Sequence, residues 1–128
     1  MKTAKDYLSE ANERVTRVDA ADVVKRHGDG KAVFVDVRDS AAIAETGTIA
    51  GAVCIPRGFI EFAADPATPF HNAAMQPDAE LFLVCGAGGQ AALSGSTLLE
   101  MGYQNVTNIG GIGDWKDAGG PMEPGSGS

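Results

Sequence analysis

Residues 81–95 read LFLVCGAGGQAALSG: an apolar run ends on Cys85, three glycines fall in the next four positions, and a helix-forming stretch begins at Gln90. A cysteine at the lip of a strand, facing a glycine-rich turn into a helix, is placed where a nucleophile would be useful. In open parallel sheets, ligands bind at the carboxyl ends of the strands. Glycines adopt positive φ without steric cost, so successive backbone N–H groups can turn inward as an anion-binding nest. The following helix adds the positive end of its dipole. Donors converging on one sulfur stabilise negative charge there, which a thiolate nucleophile needs. The same letters also fit a small buried apolar cysteine beside a tight turn. This stretch alone leaves both readings open.

Two other chemistries use similar letters. Gly86, Gly88 and Ala91 fit G-x-G-x-x-A, the dinucleotide fingerprint. That motif needs an acidic residue at the end of the next strand to hold the ribose. Here that strand ends near Asn108, and the first carboxylate beyond it is Asp114. A tyrosine-phosphatase-like loop, C-x5-R, needs an arginine to clamp phosphate bidentately. Ala91 stands at that place and no arginine lies in the loop, which removes the main compensation for phosphate charge.

The elements that must hold Cys85 follow from periodicity. Residues 2–15 predict a short amphipathic helix, an N-terminal arm with Tyr7, Leu8, Ala11 and Val15 on one side. Asp19 is placed as an N-cap, with Asp22 in a weak capping-box position, and His27-Gly28 closes that helix. Residues 32–37 form a β-branched run of the kind covered on both faces of a parallel sheet. A short helix spans 40–45, a strand 52–55, a helix 59–64, and a proline-bounded loop 65–79. A third buried strand covers 81–84, the best helix 90–101, and a further strand 105–109. Gly110-Gly111 then turns into a last helix carrying Trp115. Strands alternating with helices imply an α/β layer fold with a mainly parallel sheet.

The bulk properties narrow the function. A chain of 128 residues suits one domain with a real core. A net charge of −7 argues against a broad basic surface for nucleic acid or anionic lipid. Cys54 and Cys85 form no metal-ligand pattern, and no cofactor is implied. The start, MKTAKDYLSE, lacks the apolar core of a signal peptide, and no run reaches membrane-spanning length. The expected compartment is the cytoplasm. Residues 125–128 read as a flexible tail.

At this point two longer stretches take on meaning together. VFVDVRDSAAIAETGTIAGAVCIP carries a D-V-R strand end followed by a variant of G-H-I-P-G-A, with Thr48 for histidine and Ala50 for proline. LFLVCGAGGQAALSGSTLLEMGYQNVTNIGGIGDWKDAGGPME carries a C-x-x-G-x-R-like loop, an L-x-x-x-G-Y helix end and G-G-x-x-x-W. Over residues 16–124 the chain resembles the rhodanese-like domains, the single-domain sulfurtransferases. The resemblance implies an α/β/α sandwich on a five-stranded, mainly parallel sheet. It implies that Cys85 takes sulfur from a donor such as thiosulfate, becomes a persulfide, and passes the sulfur to cyanide or a thiol. The backbone N–H groups of Gly86, Ala87, Gly88, Gly89 and Gln90 would steady the anion. A protein sulfur-relay partner is the other expected class of partner.

Gln90 departs from the arginine that many members carry. Glutamine donates a hydrogen bond without charge, and charge-assisted bonds are roughly twice as strong. The alternative reading is therefore a persulfide carrier or partner-binding module with little thiosulfate turnover. Arg57, just after Pro56, is the better candidate to replace the absent charge. Arg38 could approach the mouth of the site, although a salt bridge holding its loop is the favoured role. Asp36 reads as structural, Cys54 as buried rather than a resolving thiol, and Trp115 as packing. His27 reads as a helix-end residue and His71 as solvated.

Overall fold

The computed structural model describes residues 1–125. The chain runs α1 (Ala4–Arg14), β1 (Thr16–Arg17), α2 (Ala20–Val23), β2 (Ala32–Asp36), α3 (Ser40–Thr46), β3 (Thr48–Ile49) and β4 (Val53–Cys54). It continues with α4 (Ile60–Ala64), β5 (Glu80–Cys85), α5 (Gly89–Glu100), β6 (Asn105–Gly111), α6 (Ile112–Asp117) and β7 (Met122–Glu123). A five-stranded sheet has the order β1-β6-β5-β2-β4, with every neighbouring pair parallel. β3 and β7 form a separate antiparallel pair.

Side chains alternate across the sheet, and each face is covered. On β5, Leu81, Leu83 and Cys85 join one core with Ile60 and Ala63 of α4 and Ala91 and Leu98 of α5. Phe82 and Val84 join a second core with Ala20 and Val23 of α2 and Ile112 and Trp115 of α6. Full burial on both faces explains why β2 and β5 read as continuous apolar runs rather than alternating ones. Each buried Leu or Ile in these layers contributes about 1.5–3 kcal/mol relative to exposure. The result is the three-layer α/β/α arrangement expected, with a central sheet that is wholly parallel.

α1 packs on the outside of α5. Thr3 and Asp6 close a reciprocal capping box at its start, with N–H···O distances of 2.9 and 3.2 Å. Ala11 and Val15 are buried, Leu8 reaches Gly89, and Arg14 bonds Ser96 and Glu100. Tyr7 stays exposed beneath the Lys2 ammonium.

Several local expectations change. Asp19 occupies the N-cap position of α2 without making the cap hydrogen bond. α2 itself is one turn, tightened into a 3-10 turn over Val24–Arg26. His27 is half-buried, with Nε2 2.7 Å from the Ala50 carbonyl oxygen and its ring against Phe34 and Trp115. The expected tail lies outside the described residues apart from Gly125. No helix among the described residues is long and apolar enough to cross a membrane.

Candidate functional site

Cys85 is the last residue of β5 and is 1 % exposed. Beside it the β5–β6 ladder slips: Leu83 pairs with Asn108, but Cys85 pairs with Gly111, which puts an extra residue on β6. Such a bulge bends a strand end away from regular pairing. Here it brings Gly111 against the Gly86 carbonyl, so closely that a Cβ at residue 111 would collide with that oxygen. A backbone approach of this kind admits only glycine.

The loop then folds back over the sulfur. Gly88 adopts φ +105°, a left-handed conformation that starts α5 directly. Its N–H donates to Cys85 Sγ at 3.0 Å, and the Ala91 N–H, from the first turn of α5, donates at 3.4 Å. Of the amides expected to face the sulfur, Gly88 does so, and Ala91 joins it from just beyond the predicted set. Gly86, Ala87 and Gln90 are exposed on the rim, and Gly89 is half-buried against Leu8. The sulfur therefore sits recessed beneath two amide donors and at the N-terminus of a helix of 12 residues, whose dipole adds to them.

Asn108 fixes this shape. It is 1 % exposed on β6, its Nδ2 donates to the Gly88 carbonyl at 2.9 Å, and its Oδ1 accepts from the Gly110 N–H at 2.8 Å. The Gly110 amide can only donate, so the side-chain oxygen must face it and the NH2 must face Gly88. The loop and the end of β6 are tied through one side chain. Nothing in the local sequence marks this role, because the partners of Asn108 are brought in by pairing between strands. Asn108→Ala should strand the Gly110 N–H and leave the Gly88 carbonyl only its bond from the Ala92 N–H, cost about 1–3 kcal/mol, and slow any reaction of Cys85 by loosening the Gly88 donor. Urea denaturation and reaction rates of folded protein would measure the two effects separately.

The sequence-predicted cations bond groups outside the cysteine loop. Arg38 is 5 % exposed, and its three side-chain nitrogens bond Asp36 at 2.7–3.2 Å, Thr46 Oγ1 at 2.8 Å and the Gly47 carbonyl at 2.8 Å. None of these partners belongs to the cysteine loop. Arg57 donates to Glu61 and to Thr97 at 3.2 Å each. Thr97 lies two turns along α5 from Gly89, roughly 12 Å by helical rise. Asp36 is fully buried and also accepts from Thr48 at 2.8 Å. A cation absent from the sequence reading does stand by the loop: Arg17 of β1 lies against Gly88.

The two thiols occupy opposite faces of the sheet. Cys54 is in register with Asp36, and Asp36 with Val84, so Cys54 shares the Val84 face while Cys85 points to the other. Both are free. Burial, reinforced by the Asp36 carboxylate, pushes the Cys54 thiol pKa up and makes it a poor nucleophile near neutrality. His71, expected to be solvated, is half-buried with Nε2 2.9 Å from the Met75 carbonyl oxygen.

The family model of the rhodanese-like domain matches residues 19–118. The chain belongs to this family. Among solved structures, this rhodanese-like domain is similar to a protein of unknown function from Rhodopseudomonas palustris, described as a possible tyrosine phosphatase. The two share 36 % identity over 96 % of each chain, with a TM-score of 0.89. It also resembles the homodimeric polysulfide-sulfur transferase of Wolinella succinogenes, at 23 % identity, covering 95 % of this chain and 88 % of that one, TM-score 0.74. A third is a rhodanese with anions from E. coli, at 28 % identity, covering 73 % of this chain and 99 % of that one, TM-score 0.58. No curated protein sequence matches the chain.

Proposed function

We propose that this rhodanese-like domain is a sulfurtransferase that carries sulfane sulfur as a persulfide on Cys85. The observation that supports it best is the pair of amide donors on the recessed sulfur, from Gly88 at 3.0 Å and Ala91 at 3.4 Å. Membership of the family and the sulfur-transferring relatives point the same way. In the first half-reaction the Cys85 thiolate attacks the outer sulfur of thiosulfate. The new Sγ–S bond forms as the bond to the sulfonate group breaks, and sulfite leaves with the electron pair. In the second, cyanide or a thiolate attacks the outer sulfur of the persulfide. The Sγ–S bond breaks and Cys85 departs as thiolate. Negative charge rests on Sγ before the first attack and again as the acceptor takes the sulfur. The two amides stabilise the anion at both moments without moving.

The phosphatase reading attached to the R. palustris relative fits this loop less well. Ala91 occupies the place of the C-x5-R arginine, and it is fully buried. A second sulfur reading has support of its own: residues 86–90 carry no charge, which fits a carrier loaded from a low-molecular-weight persulfide rather than from thiosulfate. Intact-protein mass after incubation with each donor tests both. A gain of one sulfur on the Cys85 peptide from thiosulfate supports the transferase. A gain from glutathione persulfide alone supports the carrier. No gain from either would overturn the assignment of Cys85.

A further inference from the structure

The cysteine loop has no cation of its own, yet one is held beside it. Arg17 ends β1 and lies just ahead of the family-matched residues 19–118. Its guanidinium fills the space left by two glycines from different parts of the chain. A Cβ at Gly88 would collide with Nη1 and lie 3.0 Å from Cζ, and a Cβ at Gly110 would lie 3.0 Å from Nη2. Both glycines have positive φ, +105° and +85°. Gly88 is also the residue whose N–H bonds Cys85 Sγ at 3.0 Å. The covalent geometry between these contacts brings Cζ to within about 9 Å of the sulfur.

The second observation concerns what Arg17 lacks. The chain's other arginines are ion-paired: Arg14 with Glu100, Arg26 with Asp29 and Glu80, Arg38 with Asp36, and Arg57 with Glu61. Among the described residues Arg17 has no carboxylate at ion-pair distance and no side-chain hydrogen bond, although it is exposed in a protein of net charge −7. Asp114 enters the same notch, 3.3 Å from the Gly110 Cβ position, but its Oδ2 accepts from the Gly111 N–H at 3.3 Å instead. A guanidinium fork wedged between two glycines with its donors unclaimed is a place for an anion.

We propose that Arg17 draws anionic sulfur donors to Cys85, so that a neighbouring strand supplies the charge that the loop lacks at Gln90. This rests on reading Cys85 as the sulfur-accepting nucleophile. It makes Arg17 a specificity residue for the charge of the donor and leaves the bond-making to Cys85. In a water-like dielectric at this separation, one charge changes the local concentration of a monoanion roughly two- to threefold, and of a dianion about five- to eightfold. Salt should erase most of it.

The test compares wild type, Arg17→Gln and Arg17→Lys. Cys85 is alkylated with iodoacetate, an anion, and with iodoacetamide, its neutral counterpart, and the labelled peptide is quantified at low and high salt. In parallel, persulfide formation from thiosulfate is followed by mass. Relative to iodoacetamide, which reports any change in the thiolate itself, Arg17→Gln should slow iodoacetate about two- to threefold and thiosulfate about five- to eightfold at low salt, with Arg17→Lys close to wild type. Equal slowing of both alkylating agents would mean that Arg17 merely shapes the loop, and would overturn the proposal. So would no change in either. A shifted iodoacetate ratio together with no sulfur gain by the wild type would uphold the charge at the site and sink the sulfur reading of Cys85 instead.

Discussion

Cys85→Ser is expected to abolish sulfur transfer and leave the fold intact. The position tolerates the change because a serine oxygen can accept from the same Gly88 and Ala91 amides that now bond Sγ. A buried hydroxyl supplied with partners carries little desolvation penalty, so the midpoint of urea unfolding should move by no more than about 1 kcal/mol equivalent. Chemistry is a different matter. A serine becomes a nucleophile only with an adjacent general base, and among the described residues the side chain of Cys85 has only the backbone amides of Gly88 and Ala91 as hydrogen-bond partners. Oxygen also cannot form the persulfide. A cyanide-trapping assay should fall to the rate without protein, and intact mass should show no added sulfur. Wild-type turnover in the variant would move the chemistry to Cys54, the remaining thiol, against its raised pKa and its place on the other face of the sheet.

The strand, glycine turn and helix around Cys85 were legible because they are contiguous. The β-branched and apolar runs of β2 and β5 and the long helix α5 each declare themselves within a dozen residues. Which amides would reach the sulfur was less legible. That depends on individual φ values, and Gly88 at +105° turns its own N–H inward while starting the helix that delivers Ala91. β1 escaped notice because two residues carry no period. The β3–β7 pair escaped for the same reason. Asn108 and Arg17 were invisible for a deeper one. Their importance arises from the sheet order β1-β6-β5, which sets residue 17 in register with 108 and both beside residue 88. Arg57 looked better placed by sequence, since it follows a strand at the right edge, but its side chain runs back along α5 to Thr97.

Arg38 illustrates how a motif can mark structure rather than binding, and it carries the largest expected effect on stability. Its guanidinium and the Asp36 carboxylate are 6 % and 0 % exposed and 2.7 Å apart. The same carboxylate accepts from the Thr48 hydroxyl, and the same guanidinium holds Thr46 and the Gly47 carbonyl at the end of α3. Arg38→Ala leaves a carboxylate buried without its counter-ion. Breaking a buried pair in this way costs about 3–5 kcal/mol, a large share of the 5–15 kcal/mol typical of a domain. Replacing both partners together, as in Asp36→Leu with Arg38→Met, removes the unpaired charge and should cost less than Arg38→Ala alone, although the double variant also takes the Asp36 acceptor from the Thr48 hydroxyl. Urea denaturation of the two variants would measure the difference. The same proteins separate a structural from a binding role. At temperatures where Arg38→Ala remains folded, its KM for thiosulfate should match wild type, because the groups that Arg38 bonds lie outside the cysteine loop. A KM raised several-fold in fully folded protein, with a modest change in stability, would return Arg38 to the donor site. A double variant less stable than Arg38→Ala would show that the pair's desolvated charges are not what makes the single loss so costly.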